Sequence, residues 1–198
     1  TGSSSGTAIN VLVGINDLGI GTDGGGSVLA PAMSVNLFGF ISNLIEEEHV
    51  KQFVNRSTDN ISFTVSIGYI TRTFQEMQRA LTATFPELQL TEKNAKRLSI
   101  FTLDEQNSTS ELTSALKNES VTSLSHPDIY GPRDPLITFL ETHLTSCDFL
   151  ISEEGPVDYQ GFGDTVIGHM GKQTYEQQVL AKKGLIRVVN MANASAIV

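Results

Sequence analysis

Apolar positions along the chain follow two periods. Ile61, Phe63, Val65, Ile67 and Tyr69 alternate with mostly small or polar neighbours, the two-residue repeat of a half-buried strand. Directly after it, Thr73-Phe74-Gln75-Glu76 forms a capping box, in which hydroxyl and carboxylate satisfy the open amides of a helix start. Phe74, Met77, Leu81 and Phe85 then recur on one helical face, and Pro86 ends the helix. Leu98 to Leu103 reads as another strand, and Ser108-Thr109-Ser110-Glu111 opens a second helix carrying Leu112, Ala115 and Leu116. The third helix takes Asp134 as N-cap and Pro135 as its first residue, with Leu136, Phe139, Leu140, His143 and Leu144 on one face. Cys147 to Ile151 is expected as a short buried strand. A last helix from about Thr174 to Lys183 is stopped by Gly184 and leads into a strand from Leu185 to Val189. Alternating helices and strands predict an α/β sandwich.

Composition narrows the class. With 198 residues, 39% hydrophobic and 18% charged, the chain can bury one well-cored domain. It is too apolar for a disordered tail and too polar for a membrane bundle. No apolar run approaches the roughly 18 residues of a spanning helix. A net charge of −9 argues against nucleic-acid partners. The single cysteine, Cys147, rules out an intramolecular disulfide framework, and the four scattered histidines form no zinc cluster with it. A cytoplasmic location is expected, although a cysteine-poor exported protein has the same composition. No basic-then-apolar leader is visible at Thr1, and the chain stops within an apolar run at Val198. Both ends read as cut, so residues 1–198 are expected to be one core segment of a longer chain.

The informative chemistry lies in the first forty residues, which are nearly uncharged apart from Asp17 and Asp23. They hold two clusters, Gly2-Ser3-Ser4-Ser5-Gly6 and Gly21-Thr22-Asp23-Gly24-Gly25-Gly26-Ser27. Three consecutive glycines let main-chain amides converge where no side chain blocks approach. Such amides can hold a carbonyl oxygen as it turns negative, each donor being worth roughly 2.7–4 kcal/mol of barrier. Ser27 is the candidate attacking hydroxyl. It needs a proton acceptor, and a second serine can relay the proton to a neutral, buried lysine. The same loop could instead cradle a phosphate, but it lacks the Gly-Lys-Ser/Thr ending of a nucleotide loop.

These residues resemble the amidase signature family, whose hallmark is a Gly-Gly-Ser-Ser-Gly-Gly-like cluster followed by Gly-(Ser/Thr)-Asp-X-Gly-Gly-Ser. The second element is matched by Gly21 to Ser27, and the position 24 residues before Ser27 is Ser3. Pro31, Ala32 and Gly39 fall where the family keeps Pro, Ala and Gly. Gly68-Tyr69-Ile70-Thr71-Arg72-Thr73 is similar to its Gly-Pro-Met-(Ala/Ser)-Arg-(Thr/Ser) stretch, and Asn190-Met191-Ala192 to its Asn-Leu-Ala segment. The resemblance implies a mixed β-sheet sandwiched between helices and a hydrolase that cleaves a carboxamide by acyl transfer. It implies Ser27 as nucleophile, Ser3 in a cis peptide as proton relay, and the amides of Gly24, Gly25, Gly26 and Ser27 as oxyanion hole. It implies no cofactor and no metal, a small-molecule amide substrate, and neither nucleic-acid nor membrane partners. The catalytic lysine would come from the remainder of the same chain. Ser4 lies one register step from the relay position.

Several positions depart from the pattern. Lys51, Lys93, Lys96, Lys117, Lys172, Lys182 and Lys183 match no family lysine. Val28-Leu29 replaces Ile-Arg, removing a cation that could hold Asp23. Gly39-Phe40-Ile41-Ser42-Asn43 replaces Gly-Leu-Lys-Pro-Thr, and Asn193 and Ser195 stand where Gly and Pro are usual. These departures are what a catalytically silent, amidase-like binding scaffold would carry, and that alternative stays open. Elsewhere the simpler readings hold. Glu153, Glu154, Asp158 and Asp164 read as a solvated acidic loop, His143 and Cys147 as packed residues, and His169 as a loop residue without a partner. Five Asn-X-Ser/Thr matches, beginning at Asn55, Asn60, Asn107, Asn118 and Asn193, carry little weight in so Asn/Ser/Thr-rich a chain.

Overall fold

The computed structural model describes residues 2–87, 97–102, 120–125, 127–129, 131–153, 171–173 and 184–198. The chain divides into two compact units, one from Thr1–Gln89 and Pro156–Val198, the other from Leu90–Gly155. In the first unit the described elements run α1 (Ser5–Leu12), β1 (Leu18–Asp23), α2 (Leu29–Ser34), β2 (Phe38–Ser42), α3 (Glu47–Val50), β3 (Val54–Arg56), β4 (Ser62–Thr64), β5 (Ser66–Thr71) and α4 (Phe74–Thr84). A 3-10 turn (Leu185–Arg187) and β9 (Ala196–Ile197) follow late in the chain. Strands β1, β5, β2 and β9 form an antiparallel sheet in that order, and β3 and β4 form a separate hairpin.

Register explains how helices cover both faces of this sheet. Gly21 pairs with Gly68 and Gly68 with Ile41, while Gly19 pairs with Ile70 and Ile70 with Gly39. Because side chains alternate along a strand, these residues share one face. Glycine there makes room for α1 and α2. A Cβ on Gly19 would fall 2.5 Å from Thr7 Cγ2, one on Gly21 2.4 Å from Ser4 Oγ, and one on Gly39 2.8 Å from Ala32 Cβ. On the opposite face, Phe40, Ile67 and Tyr69 pack with Ile45 of the loop after β2, with Met77 and Leu81 of α4 and with Phe85 just beyond it.

The expected strand at 61–69 is in fact two strands, β4 and β5, which belong to different sheets. It is also not half-buried throughout. Ser66, Gly68, Tyr69, Ile70 and Thr71 are all buried, because β5 lies between β1 and β2 and both of its faces are covered. The capping box forms as expected. Thr73 Oγ1 accepts from the Glu76 amide at 3.2 Å, and Glu76 Oε2 accepts from the Thr73 amide at 3.0 Å. Leu185 to Val189, expected as a strand, folds instead as a 3-10 turn, with the Val188 amide donating to the Leu185 carbonyl at 2.9 Å. The run is buried, and a short apolar run satisfies burial in either conformation.

The second unit holds β6 (Arg97–Thr102), β7 (Ser120–Ser123), α5 (Arg133–Leu144) and β8 (Phe149–Glu153). Its sheet is parallel, in the order β7-β6-β8. Parallel pairs need long crossovers, and α5 lies in the one between β7 and β8. The helix starts ahead of the expected Asp134, with Pro132 as N-cap and Asp134 inside the first turn. Leu136 and Leu140 are buried, and His143 lies half-buried with its ring 4.5 Å from that of Phe139. Cys147 is buried but precedes β8, whose Phe149 is exposed. Mixed helix and sheet is thus present among the described residues of both units, consistent with an α/β fold, with antiparallel and parallel pairings carried by separate sheets. The helices expected at 108–116 and 174–183, and the features at Glu154, Asp158, Asp164 and His169, lie outside the described residues. No helix among the described residues is long and apolar enough to cross a membrane.

Candidate functional site

The loop that follows β1 is organised by one carboxylate. Asp23, the last residue of β1, is fully buried. Its Oδ1 accepts from the amides of Gly25 at 3.0 Å and Gly26 at 2.5 Å. Its Oδ2 accepts from the amides of Val28 at 2.7 Å and Leu29 at 3.2 Å, where α2 begins. Four main-chain amides therefore hold this carboxylate in place. Gly26 sits at φ +91°, a conformation that side chains disfavour. The reversal it makes sends the chain through half-buried Ser27 into α2.

The first Gly/Ser cluster meets this loop from the other side. The Ser4 amide donates to the Ser27 carbonyl at 3.2 Å. A Cβ on Gly2 would lie 2.6 Å from Ser27 Cα and 2.9 Å from its carbonyl oxygen, so the two backbones touch. The turn itself is held by Ser5, whose hydroxyl donates to the Gly2 carbonyl at 2.6 Å. Ser3 lies between these two contacting residues, Gly2 and Ser4.

Other details differ from what the resemblance implies. The Ser3 side chain is exposed, and no hydrogen bond joins its hydroxyl to that of Ser27. Ser4 is the buried serine of the pair, and its hydroxyl faces Gly21. All peptide bonds among the described residues are trans, including those at Ser3. Two of the four expected oxyanion donors, the amides of Gly25 and Gly26, are engaged by Asp23. Those of Gly24 and Ser27 make no hydrogen bond among the described residues.

Two neighbours of the loop come from segments distant in sequence. Phe63, in β4, points at Gly24, where a Cβ would fall 2.5 Å from its ring. Asn190 is buried; it accepts from the Ser66 hydroxyl at 2.5 Å and donates to the Thr64 carbonyl at 2.9 Å. Ser66 is the register partner of Asp23 across β1 and β5. Asp23 itself carried a signal, being one of only two charges in the first forty residues. Phe63 was legible only as an apolar position of the 61–69 alternation and Asn190 only within the Asn190-Met191-Ala192 stretch; their contacts were not, since these join segments far apart in sequence.

Titration shifts arise elsewhere. The Glu76 carboxyl is held below its ordinary value, chiefly by the Thr73 amide. The Lys51 ammonium on the exposed edge of α3 is raised, chiefly by its hydrogen bond to Glu47. Among the described residues no group of three or more His, Cys, Asp or Glu could hold a metal ion.

No family model matches the sequence, and no curated protein matches it. Amidases are among the solved structures it resembles. An amidase family protein from Bacillus anthracis str. Ames is 19% identical, with 71% of this chain and 32% of that chain covered at a TM-score of 0.41. A bacterial aryl acylamidase of the amidase signature family is 18% identical, with 73% and 36% covered at 0.43. A further amidase is 17% identical, with 91% and 43% covered at 0.46. The chain thus spans about a third to two-fifths of the length of these structures.

Proposed function

We propose that the protein is a serine hydrolase of the amidase type, cleaving a carboxamide by acyl transfer. The observation that carries this reading is the meeting of the two Gly/Ser clusters, with Gly2 and Ser4 both against the backbone of Ser27. Ser27 Oγ attacks the carbonyl carbon, and its proton passes to Ser3. From there it goes to a lysine that the resemblance locates before the first cluster. The oxyanion takes the main-chain amides of residues 24 to 27. At rest Asp23 occupies those of Gly25 and Gly26, so Gly24 and Ser27 are the first donors. Collapse of the tetrahedral adduct expels the amine, which takes the relayed proton, and water then hydrolyses the acyl-serine.

A fluorophosphonate probe on the full-length protein tests the reading. Wild type is expected to label and Ser27→Ala not to. Ser3→Ala is expected to label about 10²- to 10⁴-fold more slowly, the range for loss of a positioned proton carrier. Equal labelling of wild type and Ser27→Ala removes Ser27 from the mechanism. Absence of labelling in wild type favours the silent scaffold, which the exposed Ser3 hydroxyl also suits.

A further inference from the structure

We propose that Phe63 is a specificity-determining residue of this site, an apolar wall on the acyl side of Ser27 that selects substrates with alkyl or aryl acyl groups. The inference rests on the hydrolase reading above. Gly24 occupies the variable position of the Gly-Thr-Asp-X-Gly-Gly-Ser stretch, and the space a side chain there would fill is taken by the Phe63 ring. A Cβ would meet Cε2 at 2.5 Å and Cζ at 3.1 Å. The wall is therefore supplied by another strand, and Gly24 is three residues from Ser27, within about 11 Å even if fully extended.

Phe63 is half-buried, so part of its hydrocarbon surface stays open. Its hairpin is held firmly. The Ser57 and Ile61 backbones bond at 2.9 Å, the Ser57 hydroxyl accepts from the Ile61 amide at 3.0 Å, and Asn190 secures the Thr64 carbonyl next door. A rigid aromatic edge discriminates better than a mobile one, because no ordering cost falls on binding.

On this proposal the leaving nitrogen lies toward Ser3, which sits between the two residues that touch the Ser27 backbone, and the acyl group toward Gly24 and the Phe63 ring. A net charge of −9 further disfavours anionic acyl groups.

p-Nitrophenyl acetate and octanoate share a leaving group, so the ratio of their kcat/KM values reads the acyl side alone. Rates are taken after subtracting that of Ser27→Ala. Wild type is expected to favour octanoate. Phe63→Ala lowers the octanoate-to-acetate ratio by about tenfold or more, whereas Phe63→Leu keeps it within about threefold, as expected for apolar pocket contacts. Turnover with an unchanged ratio in Phe63→Ala overturns the wall and leaves the hydrolase reading standing. No Ser27-dependent turnover of either ester overturns both. A second readout needs no activity: Gly24→Ala lowers Tm in the wild-type background and not in Phe63→Ala. Equal losses in both backgrounds mean that the ring does not occupy this space, and the proposal fails.

Discussion

Asp23 matters most among single residues. A buried carboxylate is expensive unless its charge is compensated, and four amides supply that compensation from the loop it shapes. Removing it strands those amides. Asp23→Ala is expected to cost about 3 kcal/mol or more by denaturant titration, and Asp23→Asn a similar amount, because its NH2 would face donors. A loss under about 1 kcal/mol would mean that the loop is held by something else. Gly2 is comparably constrained, since any side chain there meets the backbone of Ser27 rather than a side chain that could turn aside.

At the scale of elements, the capping box of α4 was legible because its whole chemistry is local, four residues reading one another. Thr73→Ala is expected to cost about 1 kcal/mol. The Glu76 carboxyl adds a pH dependence of known sign. Its value in the fold lies below the ordinary 4.5, so its contribution is complete above that pH and fades as pH falls below it. Thermal melts of Glu76→Gln should therefore fall less steeply below pH 4.5 than those of wild type; parallel curves would contradict the bond. The elements that escaped are those whose neighbours decide them. The alternation from Ile61 to Tyr69 is real, but the break at Val65 sends its halves to different sheets. Leu185 to Val189 signals burial without signalling conformation. Likewise β1 is hard to read from Leu18-Gly19-Ile20-Gly21, because its glycines serve the helices lying over them.

Across the molecule, the late segment is part of the structure around the loop. Strand β9 adds to β2, the Ser42 and Ser195 hydroxyls bond at 2.8 Å, and Asn190 joins residues more than a hundred positions away. Asn190→Ala should cost about 2 kcal/mol, from the unpaired Ser66 hydroxyl and Thr64 carbonyl it leaves behind. Hydrogen exchange should quicken in both 62–66 and 185–198; quickening confined to 185–198 would show the two segments to be uncoupled. The two clusters of candidate chemistry were legible as residues and as a spacing. Their committed amides and the exposed Ser3 hydroxyl were not, because these depend on backbone geometry that the motif does not encode.

Peptide mapping of an acyl-enzyme trapped with a slowly hydrolysed ester bears most directly on the proposed chemistry. The acyl mass should appear on the peptide carrying Ser27 and vanish in Ser27→Ala. An acyl group on any other residue, persisting in that variant, would contradict the assignment of Ser27 as the nucleophile.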